Sequence, residues 1–280
     1  MIMIKNDYRL DFLKICGGTD KSGQPENIDV VLTPGEIVCI VGKTGAGKSR
    51  LLADIECLAQ GDTPTGRKIS VGGKNAKDSG IGRRLVAQIS QNMNFVADLR
   101  VGDFLAMHAQ SRLIANIKET VKNVIVGANR LVGEKFRGNT PLGELSGGQS
   151  RALMIADAAM LSFSPVLLID EIENAGIDRK KALELLVEKE KITLISTHDP
   201  LLALMGNRRI VMKNGGIARV IESSPEEKEN LKRLEINDNK MANLKDRLRR
   251  GEELKDPLSF LPSRQANRKT PRWQNRDHWQ

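Results

Sequence analysis

Gly42-Lys43-Thr44-Gly45-Ala46-Gly47-Lys48-Ser49 follows the apolar run Ile37–Val41 and opens onto Arg50-Leu51-Leu52-Ala53-Asp54-Ile55, which reads as a helix. Strand, glycine-rich turn and helix, in that order, are the setting of a phosphate-binding loop. The glycines let backbone N–H groups turn inward around phosphate oxygens, where a Cβ would obstruct the turn. The helix points its positive N-terminal end at the same anion. Lys48 adds a mobile positive charge for the β- and γ-phosphates, and the Ser49 hydroxyl is a hard oxygen ligand suited to Mg²⁺. Arg50 follows on the first helical turn and joins the loop residues as a nucleotide contact. The stretch implies binding of a nucleoside triphosphate.

Upstream, residues 1–36 read as an antiparallel lead-in, with strands at 4–13 and 28–32 around the loop CGGTDKSGQPEN. Pro34-Gly35 turns the chain into the buried strand at 36–41. Composition sets the outer limits. The chain has 280 residues, 40% hydrophobic and 28% charged, enough for a sizeable buried core. Aromatics are only 3%, so aliphatic side chains fill that core. No run of about 18 apolar residues is present, and MIMIKNDYRLDF lacks the apolar centre of a secretory signal. The cysteines Cys16, Cys39 and Cys57 are odd in number and match no metal spacing, which points to a reduced, cytoplasmic setting. A net charge of +9 permits an acidic partner but is also ordinary for a soluble protein.

Downstream, 61–73 reads as turn, strand, turn, and 85–91 as a further strand. From 101 to 136 the pattern becomes helical: Phe104, Met107, Leu113, Ile114, Ile117, Val121, Val124 and Ile125 recur at spacings near three and four. A helix at 150–161 follows Leu145-Ser146-Gly147-Gly148-Gln149. Then come an apolar strand at 166–169, a helix at 179–190, a strand at 192–196, and segments 201–205 and 210–220. Strands alternating with helices predict an α/β fold around a largely parallel sheet. The organisation expected is a nucleotide-binding domain at 1–222 with a helical subdomain at 101–161, an amphipathic helix region at 223–255 and an extended tail at 256–280. Ser224, Pro225 and Glu227 form a helix-start pattern, Leu234, Met241 and Leu248 repeat every seven residues, and Asn237-Asp238-Asn239 is a candidate break. The tail mixes Arg264, Arg268, Lys269, Arg272 and Arg276 with Trp273 and Trp279. That mixture suits nucleic acid, although a solvated or partner-docked tail is the commoner outcome for short charged termini.

The run Val166-Leu167-Leu168-Ile169 delivers Asp170 and Glu171 to the sheet edge where open α/β sheets bind ligands. There Asp170 would hold the Mg²⁺ shell, and Glu171 would polarise a water for attack on the γ-phosphate.

With the loop, this strand and the run at 145–149 in that order, the chain resembles the ATP-binding cassette (ABC) ATPases over residues 28–221. The resemblance implies a P-loop sheet core with an antiparallel β region and an inserted helical subdomain. It also implies ATP and Mg²⁺ as ligands and a second ABC copy, homo- or heteromeric, paired head to tail. Each ATP would lie between one copy's loop and the other's Ser146, Gly147 and Gly148, with Gln149 beside them. Gln91 would be the glutamine that senses Mg²⁺ and the attacking water, with Gln88 the second choice. His198 in ISTHD would contact the γ-phosphate and position water. Asp178 would end the loop between the two sites.

The chain departs from the family in places. The run 172–178, Ile-Glu-Asn-Ala-Gly-Ile-Asp, lacks the usual proline and is one residue longer. Ala152 and Asp157 stand where transporters commonly carry arginines. An adenine-stacking aromatic is missing near Ile15 and Cys16, and Tyr8 lies too far upstream. Two functions therefore compete. The first is the energising subunit of a transport system, cytoplasmic and peripheral at the inner face of the membrane through a membrane-spanning subunit. The second is a soluble ABC ATPase that remodels a protein, cofactor or nucleic-acid complex. A binding module without turnover is disfavoured because Glu171 and His198 are both present.

Overall fold

In the computed structural model the described residues are 10–72, 85–90, 95, 97–171 and 176–253. The chain divides into a unit of residues 1–231 and a second of residues 232–280. A six-stranded sheet forms the centre of the first unit, in the order β5(Val86–Ile89), β6(Val166–Asp170), β7(Ile192–Ser196), β3(Ile37–Val41), β8(Arg208–Lys213), β9(Gly216–Glu222). All neighbours are parallel except β8 and β9, which form an antiparallel hairpin. A separate three-stranded antiparallel sheet has the order β2(Val30–Leu32), β1(Phe12–Cys16), β4(Lys68–Gly72). The expected α/β core with an antiparallel β region and inserted helices is therefore the fold observed.

The central strands are buried on both faces, and this explains their unbroken apolar runs. Ile37–Ile40, Val166–Ile169 and Ile192–Ser196 lie almost wholly out of solvent. Cys39 is one of these buried hydrophobes, its thiol donating to the Leu202 carbonyl at 3.2 Å. One core lies between the sheet and α1(Lys48–Glu56) with the antiparallel strands. The other lies under α4(Gly147–Met160), α5(Arg179–Val187) and the inserted helices α2(Val101–Ser111) and α3(Ile117–Arg130). After β7, α6(Pro200–Met205) leads into the β8–β9 hairpin, and α7(Pro225–Arg249) follows β9.

Several boundaries differ from the sequence reading. The first described strand is Phe12–Cys16, not 4–13; residues 1–9, including Tyr8, lie outside the described residues. Its inward side chains, Leu13 and Ile15, alternate with Lys14 and Cys16, so the pattern runs on into what looked like loop. The region 101–136 is two helices. Leu113 sits between them at φ 55° and is 79% exposed, and the buried face of α2 is Val101, Leu105 and Ala109. Helix α4 begins at Gly147, inside the run 145–149 and not after it. Helix α7 passes through Asn237-Asp238-Asn239 unbroken. Its start is a capping box: Ser224 Oγ accepts from Glu227 N–H, and Glu227 Oε2 accepts from Ser224 N–H. The tail at 254–280 lies outside the described residues. Among those described, no helix is long and apolar enough to cross a membrane.

One buried charge supports the join between α4 and β7. Lys191 is 7% exposed and donates to the Ser162 and Ser164 carbonyls at 2.8 and 2.7 Å. Burial, with a lesser push from Arg112, moves its pKa down to about 8. The unfolded chain holds this proton more tightly, so between about pH 8 and 10.5 unfolding takes up a proton and stability rises with pH. Relative to Lys191→Met, the wild-type chain is expected to gain about 2 kcal/mol between pH 7 and 9.5. Urea unfolding of both proteins at the two pH values measures this, and parallel pH dependences would contradict it.

Candidate functional site

The three strands that carry the site are consecutive neighbours, β6, β7 and β3, all parallel. Their carboxyl ends therefore share one edge, and the loops leaving them meet there. The turn after β3 holds residues 42–47. Ala46 N–H donates to the Lys43 carbonyl at 2.9 Å, and Leu51 N–H to the Gly47 carbonyl at 3.0 Å as the helix begins. Gly47 has φ 105°, and a Cβ there would lie 2.8 Å from Gly215 Cα, so no other residue fits. Helix α1 starts at Lys48, after Gly47 at the N-cap position, with no side-chain cap and no acidic residue in its first turn. Its leading N–H groups, with Ser49 and Arg50 exposed beside them, are thus presented to an anion.

Lys48 is 7% exposed. Its ammonium donates to the Gly42 carbonyl at 3.1 Å and lies 2.9 Å from His198 Nε2. An ammonium only donates, so in this contact Nε2 is the acceptor. The same Nε2 is 3.5 Å from Glu171 Oε1. Glu171 adopts φ 52°, a left-handed conformation costing about 1 kcal/mol or more in a non-glycine residue. Its N–H still donates to the Ser196 carbonyl at 3.0 Å, so the backbone stays on the sheet while the side chain turns toward His198. His198 is placed by its neighbours. Thr197 N–H is held by the Ile40 carbonyl at 3.1 Å. Asp199 caps α6, accepting from Leu201 N–H at 2.7 Å, and is paired with Arg179.

Asp170, half-buried, pairs in register with Ser196. Ser196 Oγ is buried with no hydrogen-bond partner among the described residues. Those residues also contain no cluster of three or more His, Cys, Asp or Glu side chains able to hold a metal alone. The hard oxygens on offer are the Ser49 hydroxyl and the Asp170 carboxylate. That donor set fits Mg²⁺, which binds through one or two protein oxygens, water and substrate phosphates.

Residues 145–149 lead into α4, whose buried face packs in the other core. Ser146 caps α4 in a capping box: its Oγ accepts from Gln149 N–H at 3.3 Å, and its N–H donates to Gln149 Oε1 at 2.9 Å. Gln149 Nε2 donates to the Glu134 carbonyl at 3.1 Å, so this side chain is committed to holding the run in shape. The Ser146 O–H and the first helical residues, Gly147 and Gly148, are not occupied by that box; Ser146 and Gly147 are exposed. Asp178 caps α5 through Lys181 N–H at 3.2 Å and pairs with Lys181 Nζ at 3.0 Å. Burial opposes its charge, yet those bonds hold its carboxyl below the usual range. Gln91 and residues 172–175 lie outside the described residues. Gln88, with its amide NH₂ turned to donate to Glu56 at 2.6 Å, packs against α1. Ile15 is fully buried and cannot stack on a base.

Sequence reasoning missed three groups near the loop: the Arg179–Asp199 pair, Lys21, whose Nζ donates to the Gly45 carbonyl at 2.8 Å, and fully buried Arg67. Charged residues are ordinarily solvated, so nothing marks these as different. One available signal was Asn214-Gly215, an Asn-Gly hairpin turn inside the segment read as 210–220. Both residues have positive φ, 51° and 86°.

The pattern of the ABC transporter family matches residues 25–174. The chain is 50% identical over 248 residues to an uncharacterised ABC transporter ATP-binding protein of Methanocaldococcus jannaschii, covering 86% of this chain and 94% of that one. It is 32% identical to the nitrate import ATP-binding protein NrtC of Synechocystis over 68% of this chain, but spans only 28% of that longer relative. Among solved structures it resembles cbiO1 of Clostridium perfringens, part of the ABC transporter complex cbiONQ. The TM-score is 0.58 at 23% identity, over 81% of this chain and 95% of that one, a likeness of fold.

Proposed function

This chain belongs to the ABC transporter family, and we propose that it is the ATP-hydrolysing subunit of a transport system, working as one half of a two-copy ATP sandwich. The observation that carries the reading is the convergence of Lys48, His198 and Glu171, with His198 Nε2 at 2.9 Å from the ammonium and 3.5 Å from the carboxylate. Residues 42–50 take the phosphates through backbone N–H groups and Lys48. Ser49 and Asp170, with Gln91, would hold Mg²⁺, which when bound neutralises charge on the phosphate oxygens. When Lys48 turns to the phosphates, His198 Nε2 is released to carry a proton and to donate to a γ-phosphate oxygen or to Glu171. Glu171 accepts a proton from water as the water oxygen bonds to the γ-phosphorus and the bridging P–O bond to ADP breaks.

Ser146, Gly147 and Gly148 close the site from the second copy, with the positive end of α4 directed at the γ-phosphate. The exposure of Ser146 and Gly147 supports this reading, since residues that serve a partner's site must face outward. Asp178, on a capped helix end, would carry contacts between the two sites. The chain would sit at the inner face of the membrane through its spanning partner. The 50% identical relative, itself described as a transporter ATP-binding protein, supports this assignment over soluble remodelling.

The test is recovery of a tagged, ATP-loaded chain from detergent-solubilised membranes of its own cells. An integral membrane protein is expected to co-purify in stoichiometric amount. Recovery of soluble partners alone would sink the transport assignment and leave the remodelling reading in its place.

A further inference from the structure

We propose that Lys21 is a positioning residue of the phosphate loop, acting together with the Asn214–Gly215 turn to pin the loop's carbonyls from outside. The proposal rests on reading residues 42–49 as the phosphate site. Two successive carbonyls of the loop are taken by donors from other elements. Gly45 O accepts from Lys21 Nζ at 2.8 Å, and Ala46 O accepts from Gly215 N–H at 2.8 Å. A trans peptide unit is planar, so fixing its C=O on one side fixes the next N–H on the other. Lys21 thereby holds Ala46 N–H against the Lys43 carbonyl, closing the turn. Gly215 likewise sets the direction of Gly47 N–H, the last before the helix.

The two clamps are one assembly. Lys21 N–H donates to the Asn214 carbonyl at 2.8 Å, and a Cβ on Gly215 would meet Lys21 Cγ at 2.7 Å, so the lysine stem lies over the turn. The Asn214 amide donates to Asp20 Oδ2 at 3.0 Å and to Ser22 Oγ at 2.7 Å, binding the turn to the segment that carries Lys21. Beneath, Gly215 O accepts from Arg67 at 2.7 Å. Arg67 is 0% exposed, paired with Glu26, and 2.8 Å from Asp54 Oδ2 on α1. Burial works against its charge, but the bonds to Glu26 and Asp54 raise its pKa overall. A buried guanidinium so paired cannot shift without stranding two carboxylates, which makes it a rigid anchor for the turn.

Lys21 is exposed, so Lys21→Met removes the ammonium and keeps the stem without opening the core. Affinities for ATP and ADP, measured by calorimetric titration, are both expected to fall about 3- to 10-fold. KM should rise more than kcat falls, because a loosened loop weakens ground state and transition state alike. Lys21→Arg, which can still donate to Gly45 O, should restore most of the affinity. The melting temperature without nucleotide should move by no more than about 2 °C, the size of a surface change. Unchanged affinity for both nucleotides would overturn the proposal. So would a loss confined to ATP, which would mean direct contact with the γ-phosphate, or failure of the arginine to rescue. If the wild-type chain itself binds neither nucleotide, the phosphate-site reading fails, and the proposal with it.

Discussion

Glu171→Gln is expected to reduce ATP turnover by about 10²- to 10⁴-fold, the usual worth of a positioned general base, while ATP stays bound. The amide has the shape of the carboxylate, so the backbone bond from Glu171 N–H to Ser196 O and the turn at φ 52° should survive. What is lost is the negative oxygen 3.5 Å from His198 Nε2 and its capacity to take a proton from water. In a two-copy sandwich, ATP bridges the copies and hydrolysis releases them. Blocking hydrolysis should therefore accumulate a dimer at saturating Mg-ATP. Phosphate release and light scattering on the same sample read both effects. Retained turnover would remove Glu171 as the base, and a chain that stays monomeric with ATP bound would contradict the sandwich.

The site was legible because its parts are local. A strand, a glycine turn and a helix start are contiguous at 37–56, and the task proposed for each residue rests on backbone freedom, charge or hard-oxygen chemistry. The placement of Asp170 and Glu171 was legible because a short apolar run among turn signals fits a strand buried on both faces, and a parallel sheet brings the ends of such strands to one edge. The capping box at Ser224 and Glu227 was legible for the same reason, as a short-range pattern with one geometry.

What escaped depends on distant partners. Arg67 reads as a surface residue until the fold brings Glu26 and Asp54 to it, from 41 and 13 residues away. Asn237-Asp238-Asn239 looked like a break, but such residues cost only about 0.7 kcal/mol each inside a helix. A capped helix of 25 residues absorbs that. Leu113 was counted with an apolar face although its backbone, at φ 55°, belongs to the turn between two helices. Periodicity alone cannot see a change of direction. Asp157, which stands where transporters commonly carry an arginine, has His108 Nδ1 at 3.1 Å, a contact between α2 and α4 that only the fold reveals.

Lys48→Ala is expected to weaken ATP binding by about 100-fold or more, as the loss of a charge-assisted contact to phosphate in a nearly buried position implies. The lysine is 7% exposed and stands between the Gly42 carbonyl at 3.1 Å and His198 Nε2 at 2.9 Å. A phosphate oxygen carrying negative charge competes well against either acceptor. The ammonium can therefore pass to the nucleotide at small cost, its cradle already aimed at the site. Removing it deletes the positive charge for the phosphates and also the group that orients His198, so binding and residual turnover should both fall. Calorimetric titration with ATP measures the first effect, and a melt without nucleotide separates it from unfolding. Undiminished affinity in a folded Lys48→Ala chain would mean that residues 42–49 are not where the phosphates lie.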